Sequence, residues 1–163
     1  MNETQKQLEQ IAALLHEQTT LSLATIGEGG EPCIAPLFYI ADEQLALYWL
    51  SSGSSLHSRN LLRTPRAAAT VYGSAHTWKE IRGVQMRGPV NQVTEPVRRR
   101  ALVKAYCERF MLDRVFRLAI RQSALFAFQP EFFRAIDNAR GFGCKFELTH
   151  QPEGWGLSSN PRW

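Results

Sequence analysis

The sequence predicts an α+β fold, a small antiparallel β-barrel with flanking helices, and two observations carry that expectation. Short apolar segments with two-residue alternation recur between turn signals, and the helical segments fall in blocks rather than alternating with strands. The 163 residues, 44% hydrophobic and 21% charged, suffice for one domain with its own core, so residues 1–163 are read as a single domain.

The elements follow in order. Leu8, Ile11, Ala12 and Leu15 stand at helical spacing behind the capping candidate Thr4, which predicts an amphipathic helix over about residues 4 to 17. Leu21–Ile26, the turn Gly27-Glu28-Gly29-Gly30 and Pro32–Ile40 have the shape of a glycine hairpin. After a turn at Ala41–Gln44, Leu45–Leu50 forms a third strand that runs into a Ser- and Gly-rich stretch and a short helix stopped by Pro65. Ala67–Tyr72 is a fourth strand and about Trp78–Val93 a long fifth one, interrupted by Gly83 and Gly88. Helical spacing then marks two amphipathic helices, one through Val97, Ala101, Leu102 and Ala105, the other through Leu112, Val115, Phe116 and Ala119. Strand character returns at Leu125–Phe128 and Phe132–Ile136, with Pro130-Glu131 as a break between them. The Gly- and Pro-rich tail QPEGWGLSSNPRW reads as a loose or docked end.

Composition narrows the function. No apolar run approaches the roughly 18–20 residues of a membrane span, and Met1–Lys6 lacks a basic flank followed by an apolar stretch, so a soluble cytoplasmic protein is expected. Cys33, Cys107 and Cys144 cannot all pair within one chain and form no close pair of the zinc or redox kind, so reduced thiols and no metal site are expected. The charge of +4 is concentrated at Arg98-Arg99-Arg100, Arg114, Arg117 and Arg121. With no recognition helix or aromatic-interleaved basic strand beside it, that run reads as a solvated helix face, and no nucleic-acid partner is expected.

The candidate site is SSGSSLHSRNLLRTP, from Ser51 to Pro65. A helix N-terminus offers unpaired amides and partial positive charge, so hydroxyls from Ser51, Ser52, Ser54 and Ser55 placed just before it make a seat for a phosphate. His57, in the first turn, adds a donor or a full charge beside a dianion. An ordinary strand end and helix start use the same residue types, and the sequence leaves both readings open.

The segment GGEPCIAPLFYIADEQLALYWLSSGSSLHSRNLLRTPR (Gly29 to Arg66) has a glycine hairpin, a P-x-x-x-P strand, an LYW strand and a Ser-rich turn into an H-x-x-N-L helix ending in P-R. IRGVQMRGPVNQV (Ile81 to Val93) and FAFQPEFFRAIDNARGFG (Phe126 to Gly143) follow. In this order they resemble the FMN-binding split-barrel superfamily of pyridoxamine 5′-phosphate oxidase, and a small, mostly uncharacterised branch of it, over nearly the whole chain. The resemblance implies an antiparallel split barrel and a homodimer with FMN at its interface. The FMN phosphate would lie on the turn after the third strand, and the ring along the second and fifth strands.

Carried over by position, Ser51, Ser52 and Ser55 would face the phosphate, and His57 would stand where many relatives have lysine. Pro36 and Leu37 would line the ring through their backbone, and Gln85 would bond its edge. Arg82 or Arg87 would reach the phosphate. Leu56 departs from the oxidases, which commonly carry Arg there. Phe142, between Gly141 and Gly143, and Trp78, Trp155 and Trp163 are candidate ring covers.

The implied activity is that of a flavin-dependent oxidoreductase acting on a small molecule, with the ring carrying the electrons and no catalytic acid or base required. The basic and aromatic residues near the C-terminus that mark the true oxidases are not recognisable, so that reaction is not assigned. The alternative is a non-catalytic, haem-related binding or stress-response module on the same barrel, with His16, His57, His76 or His150 as axial ligand.

Overall fold

The structure, a computed structural model, describes residues 2–158. Trp163, one of the expected ring covers, lies outside the described residues.

The chain opens with α1 (Glu3–Glu17), capped by the Asn2 side chain at the Gln5 amide, and buries Ile11, Leu14 and Leu15. The hairpin β1 (Thr20–Ile26) and β2 (Pro32–Phe38) follows, then the short β3 (Ile40–Ala41), β4 (Leu47–Ser51), α2 (Leu56–Arg63) and β5 (Arg66–Tyr72). The long β6 (Arg82–Gln92) comes next, then α3 (Pro96–Arg109) and α4 (Arg114–Ala119), and last β7 (Ala124–Phe128), β8 (Phe132–Asp137), β9 (Lys145–Gln151) and β10 (Gly154–Leu157).

All pairings are antiparallel, in the order β10-β9-β8-β6-β5-β1-β2, with β7 joining β6 to β4 and β4 pairing β3. The split of the barrel lies in β6. Its first half, from Arg82 to Arg87, pairs β8, and its last residues, Val90 to Gln92, pair β7. The link between β7 and β8 crosses against β6 there, with the Gln129 amide bonding the Pro89 carbonyl and the Glu131 amide bonding that of Arg87. Gly88 permits that crossing, because a Cβ at this position would stand 2.0 Å from the Gln129 carbonyl oxygen.

Alternation sends Leu21, Leu23, Val71, Val84 and Met86 inward, where they meet Trp49, Phe126, Phe128 and Phe133 and the apolar face of α1. Each such side chain contributes roughly 1.5–3 kcal/mol on burial. A smaller cluster, Ala46, Tyr48, Val93, Leu125 and Ala127, lies under Leu102 and Val103 of α3.

The structure revises the expected elements in four places. The third strand starts at Leu47, because Leu45 takes φ 65 in a turn held by Asp42 Oδ1 on the Gln44 and Ala46 amides. Trp78–Glu80 is a 3₁₀ turn rather than the start of the fifth strand. The tail expected to be loose contains β10, which pairs β9 from Gly154 to Leu157. The second expected amphipathic helix, α4, has six residues and no buried described side chain. No described helix is long and apolar enough to cross a membrane.

Candidate functional site

β4 delivers Ser51 to the end of the barrel, and the turn Ser52–Ser55 reverses the chain into α2. Ser55 is the N-cap, its Oγ accepting from the Ser58 amide. Ser51 Oγ lies 2.6 Å from His57 Nε2, Ser55 Oγ lies 3.0 Å from the same nitrogen, and the two hydroxyls are 3.2 Å apart. Ser55 Oγ also donates to the buried Ser58 Oγ. Burial lowers the His57 pKa below its ordinary value, which favours the neutral ring. The first-turn amides of a helix have no intrahelical acceptor, and with Ser58 taken by the cap, those of Leu56 and His57 find none among the described residues.

The sequence reading missed the lock beneath this turn. Fully buried Asn60 donates from Nδ2 to Thr25 Oγ1 on β1 and accepts from Arg63, which also pairs with Glu28 at 2.9 Å. α2 is thereby fastened to the β1–β2 hairpin, and both α2 and β4 pack on β2. The contact joins residues 35 apart in sequence, so the only local hint of it is the Asn in the helix LHSRNLLR.

The remaining candidates separate into two faces. Ser22 on β1 pairs with both Pro36 and Thr70, Thr70 with Gln85, Gln85 with Arg134, and Arg134 with Glu147. This row crosses the outer face of the sheet from β2 to β9, so Pro36 and Gln85 share a face. At its far end Nε and an Nη of Arg134 both reach Glu147 Oε1 at 2.6 Å, with the side chains 17% and 10% exposed. The other oxygen of Glu147 is buried without a partner. Leu37 has the opposite parity and packs on the core.

Of the expected phosphate ligands, the structure gathers Ser51, Ser55 and His57. Ser52 is exposed and bonds Ser54 Oγ at 2.8 Å instead. Arg82 sits on the inner-face parity of β6 and pairs with Glu17 at 3.2 Å, so it is not joined to the turn. Arg87, on the outer face, lies 4.2 Å from the centre of the Phe132 ring. Arg59 of α2 is exposed and makes no ion pair among the described residues. Trp78 and Phe142 meet edge-on at 5.6 Å, held by Asn138, which donates to the Trp78 carbonyl and accepts from the Gly143 amide. Trp155 packs against Phe133 in the core.

A groove of about 770 Å³ lies elsewhere, between α1, the β3–β4 turn and β9–β10. Its walls include Leu8, Trp155 and His150, and the carboxylates of Glu9, Glu43 and Glu131. No group of three or more His, Cys, Asp or Glu among the described residues is placed to hold a metal ion.

Comparison with known proteins gives a consistent family. The family model described as pyridoxamine 5′-phosphate oxidase matches residues 8–136. A UPF0306 protein from Yersinia pseudotuberculosis is 31% identical over 140 residues, which span 85% of this chain and 90% of that protein. Among solved structures, a pyridoxamine 5′-phosphate oxidase-related, FMN-binding protein from Nostoc punctiforme superposes with a TM-score of 0.73 at 13% identity, covering 99% and 98% of the two chains. HutZ, the haem storage protein of Vibrio cholerae, superposes with a TM-score of 0.64 at 20% identity, covering 76% of this chain and 89% of its own. The fold is therefore the split barrel of this group.

Proposed function

Because the chain belongs to the pyridoxamine 5′-phosphate oxidase family, we propose that it is a homodimeric, cytoplasmic FMN-binding flavoprotein with its phosphate seat in the turn between β4 and α2. The observation that carries this reading is the convergence of Ser51 Oγ and Ser55 Oγ on His57 Nε2 at a helix N-terminus.

The donor set fits a phosphate monoester. Hydroxyl hydrogens rotate, so the two serines that now face His57 can turn toward an anion, and the Leu56 and His57 amides add fixed donors. A dianion beside His57 opposes the effect of burial and draws a proton onto the imidazole, supplying the cation that Leu56 does not. Pro36 on β2 and Gln85 on β6 lie on one outer face of the sheet, which can carry the ring, and α2, which follows the phosphate turn, packs on β2.

Bound FMN supplies hydride and single-electron transfer. The chain's own residues anchor and orient it, and the activity this supports is oxidoreduction of a small molecule.

A second reading, haem binding, has one observation in its favour: His150 opens on the 770 Å³ groove beside Trp155 and Leu8. The same groove carries the carboxylates of Glu9 and Glu43, which repel the propionates of a haem, while that of Glu131 is paired with Arg66 at 2.6 Å, so the flavin reading is preferred. Absorbance of the protein mixed separately with FMN and haemin separates the two. Mixing with FMN should perturb the flavin bands, and the flavin reading fails if only haemin binds, giving a Soret band that His150→Ala removes.

A further inference from the structure

Helix α4 turns its apolar side chains outward. None of its described side chains is buried, and Val115, Phe116 and Leu118 on it, with Met111 just before it, are 57 to 89% exposed. A six-residue helix capped by Asp113 is not stable by propensity, since isolated helices below roughly 12–15 residues are marginal in water.

Arginines stand beside these residues. Arg114 and Arg117, three apart, share a stripe of α4 next to the stripe of Val115 and Leu118, and Arg121 follows in the 3₁₀ turn Ile120–Gln122. All three are exposed. Residues 96–121 carry seven arginines and one lysine against Glu108 and Asp113, so this segment holds more than the whole chain's charge of +4 and the remainder is net acidic. From sequence that run reads as a solvated helix face. The structure revises this in two places: Arg98 donates to the Tyr48 hydroxyl and Arg99 to the Ser123 carbonyl, while α4 sets its arginines among exposed apolar side chains.

We propose that α4 and the turn after it form a peripheral contact for an anionic lipid surface, with Val115, Phe116 and Leu118 entering the headgroup region and Arg114, Arg117 and Arg121 meeting lipid phosphates. A helix with apolar residues on one side and cations at its edge lies in the plane of such an interface. The arginine stems run along the apolar boundary and keep their guanidinium groups at phosphate level. A nucleic-acid duplex would satisfy the arginines and leave Phe116 and Leu118 in water, whereas an anionic bilayer takes both. The leaflet that faces the cytoplasm is anionic, so the contact fits the cytoplasmic location proposed above. It uses neither Pro36 and Gln85 nor the turn between β4 and α2, and so goes beyond the flavin reading without resting on it.

Co-sedimentation with vesicles at low salt tests this, with phosphatidylcholine alone and with phosphatidylcholine mixed with phosphatidylglycerol. The parent should bind the mixed vesicles and not the neutral ones, and about 1 M salt should release most of it. Arg114→Gln with Arg121→Gln should weaken binding about thirtyfold, and Phe116→Ser with Leu118→Ser about tenfold, with circular dichroism unchanged because all four positions are exposed. A parent that ignores the mixed vesicles, or variants that bind them as the parent does, overturns the proposal. So does a parent that prefers a mixed-sequence duplex to them. If a variant misfolds, hydrogen exchange on the parent decides. Amides of α4 that gain protection only on mixed vesicles support the contact, and amides already protected without vesicles, or unprotected with them, overturn it.

Discussion

Ser51 Oγ and His57 Nε2 stand 2.6 Å apart across the turn that joins β4 to α2. Six residues separate them in sequence, and only the sharp reversal at Ser52–Ser55 brings a strand-end hydroxyl onto a first-turn imidazole. The contact holds both groups in one orientation before any ligand arrives, so less side-chain entropy remains to be lost on binding.

Protonation of His57 should make stability and cofactor affinity respond to pH in opposite directions. Burial lowers its folded pKa below the ordinary value of 6.5, so the unfolded chain holds more protons between the two values. Its contribution to stability is fully present above that ordinary value and is lost as pH falls through the folded one. FMN binding, which favours the protonated ring, should instead tighten as pH falls from 8 toward 6.5, by at most about tenfold per pH unit. His57→Gln should flatten both profiles, measured by thermal melts and by flavin titration. An unchanged slope would remove His57 from the phosphate seat.

Ser55 and Ser51 should separate in a stability measurement. Ser55 caps α2, so Ser55→Ala should lose about 1 kcal/mol of unfolding free energy, whereas Ser51→Ala, which removes no cap, should melt close to the parent. Ser51→Ala is therefore the cleaner binding probe. Equal melting of the two variants would contradict the capping geometry.

Gly88→Ala should cost at least about 2 kcal/mol, because the new Cβ meets the Gln129 carbonyl oxygen, a backbone atom that moves only with the whole β7–β8 link. Urea unfolding reads this directly. A parent-like midpoint would mean that the crossing is looser than described.

Arg134→Ala should cost about 3 kcal/mol by leaving the Glu147 carboxylate buried and unpaired. Replacing both residues, Arg134→Met with Glu147→Leu, should recover most of that loss. If the double variant is as unstable as the single one, the pair is not what Arg134 contributes.

Much of this was legible in the sequence. Alternation and glycine turns gave β1, β2, β5 and the body of β6, and the hydroxyls, Gly53 and His57 marked the turn. β9 and β10 were hidden because KFELTHQ alternates only in part, and GWGL carries two glycines that weaken a strand signal. Arg82 and Gln85 are three apart and so on opposite faces of one strand. Which face is inward depends on partners the sequence does not name. The Asn60–Thr25 lock depends on a contact between α2 and β1 that no local pattern encodes. The helical spacing through Leu112, Val115 and Phe116 marks α4, but the amphipathic helix expected there buries none of its described side chains, because burial depends on neighbours that local spacing does not name.

Fluorescence titration of FMN and riboflavin, which share a ring and differ in the phosphate, against the parent, Ser51→Ala and His57→Glu, with circular dichroism on each, decides whether the turn between β4 and α2 seats a phosphate. The parent should bind FMN well and riboflavin weakly. Ser51→Ala should weaken FMN about tenfold, as expected for one charge-assisted hydrogen bond. His57→Glu should weaken it further by like-charge repulsion, and riboflavin should be little affected by either. Equal affinity of the folded parent for the two flavins, unchanged in both variants, would contradict the account and leave the Ser51–His57 turn as a helix start alone.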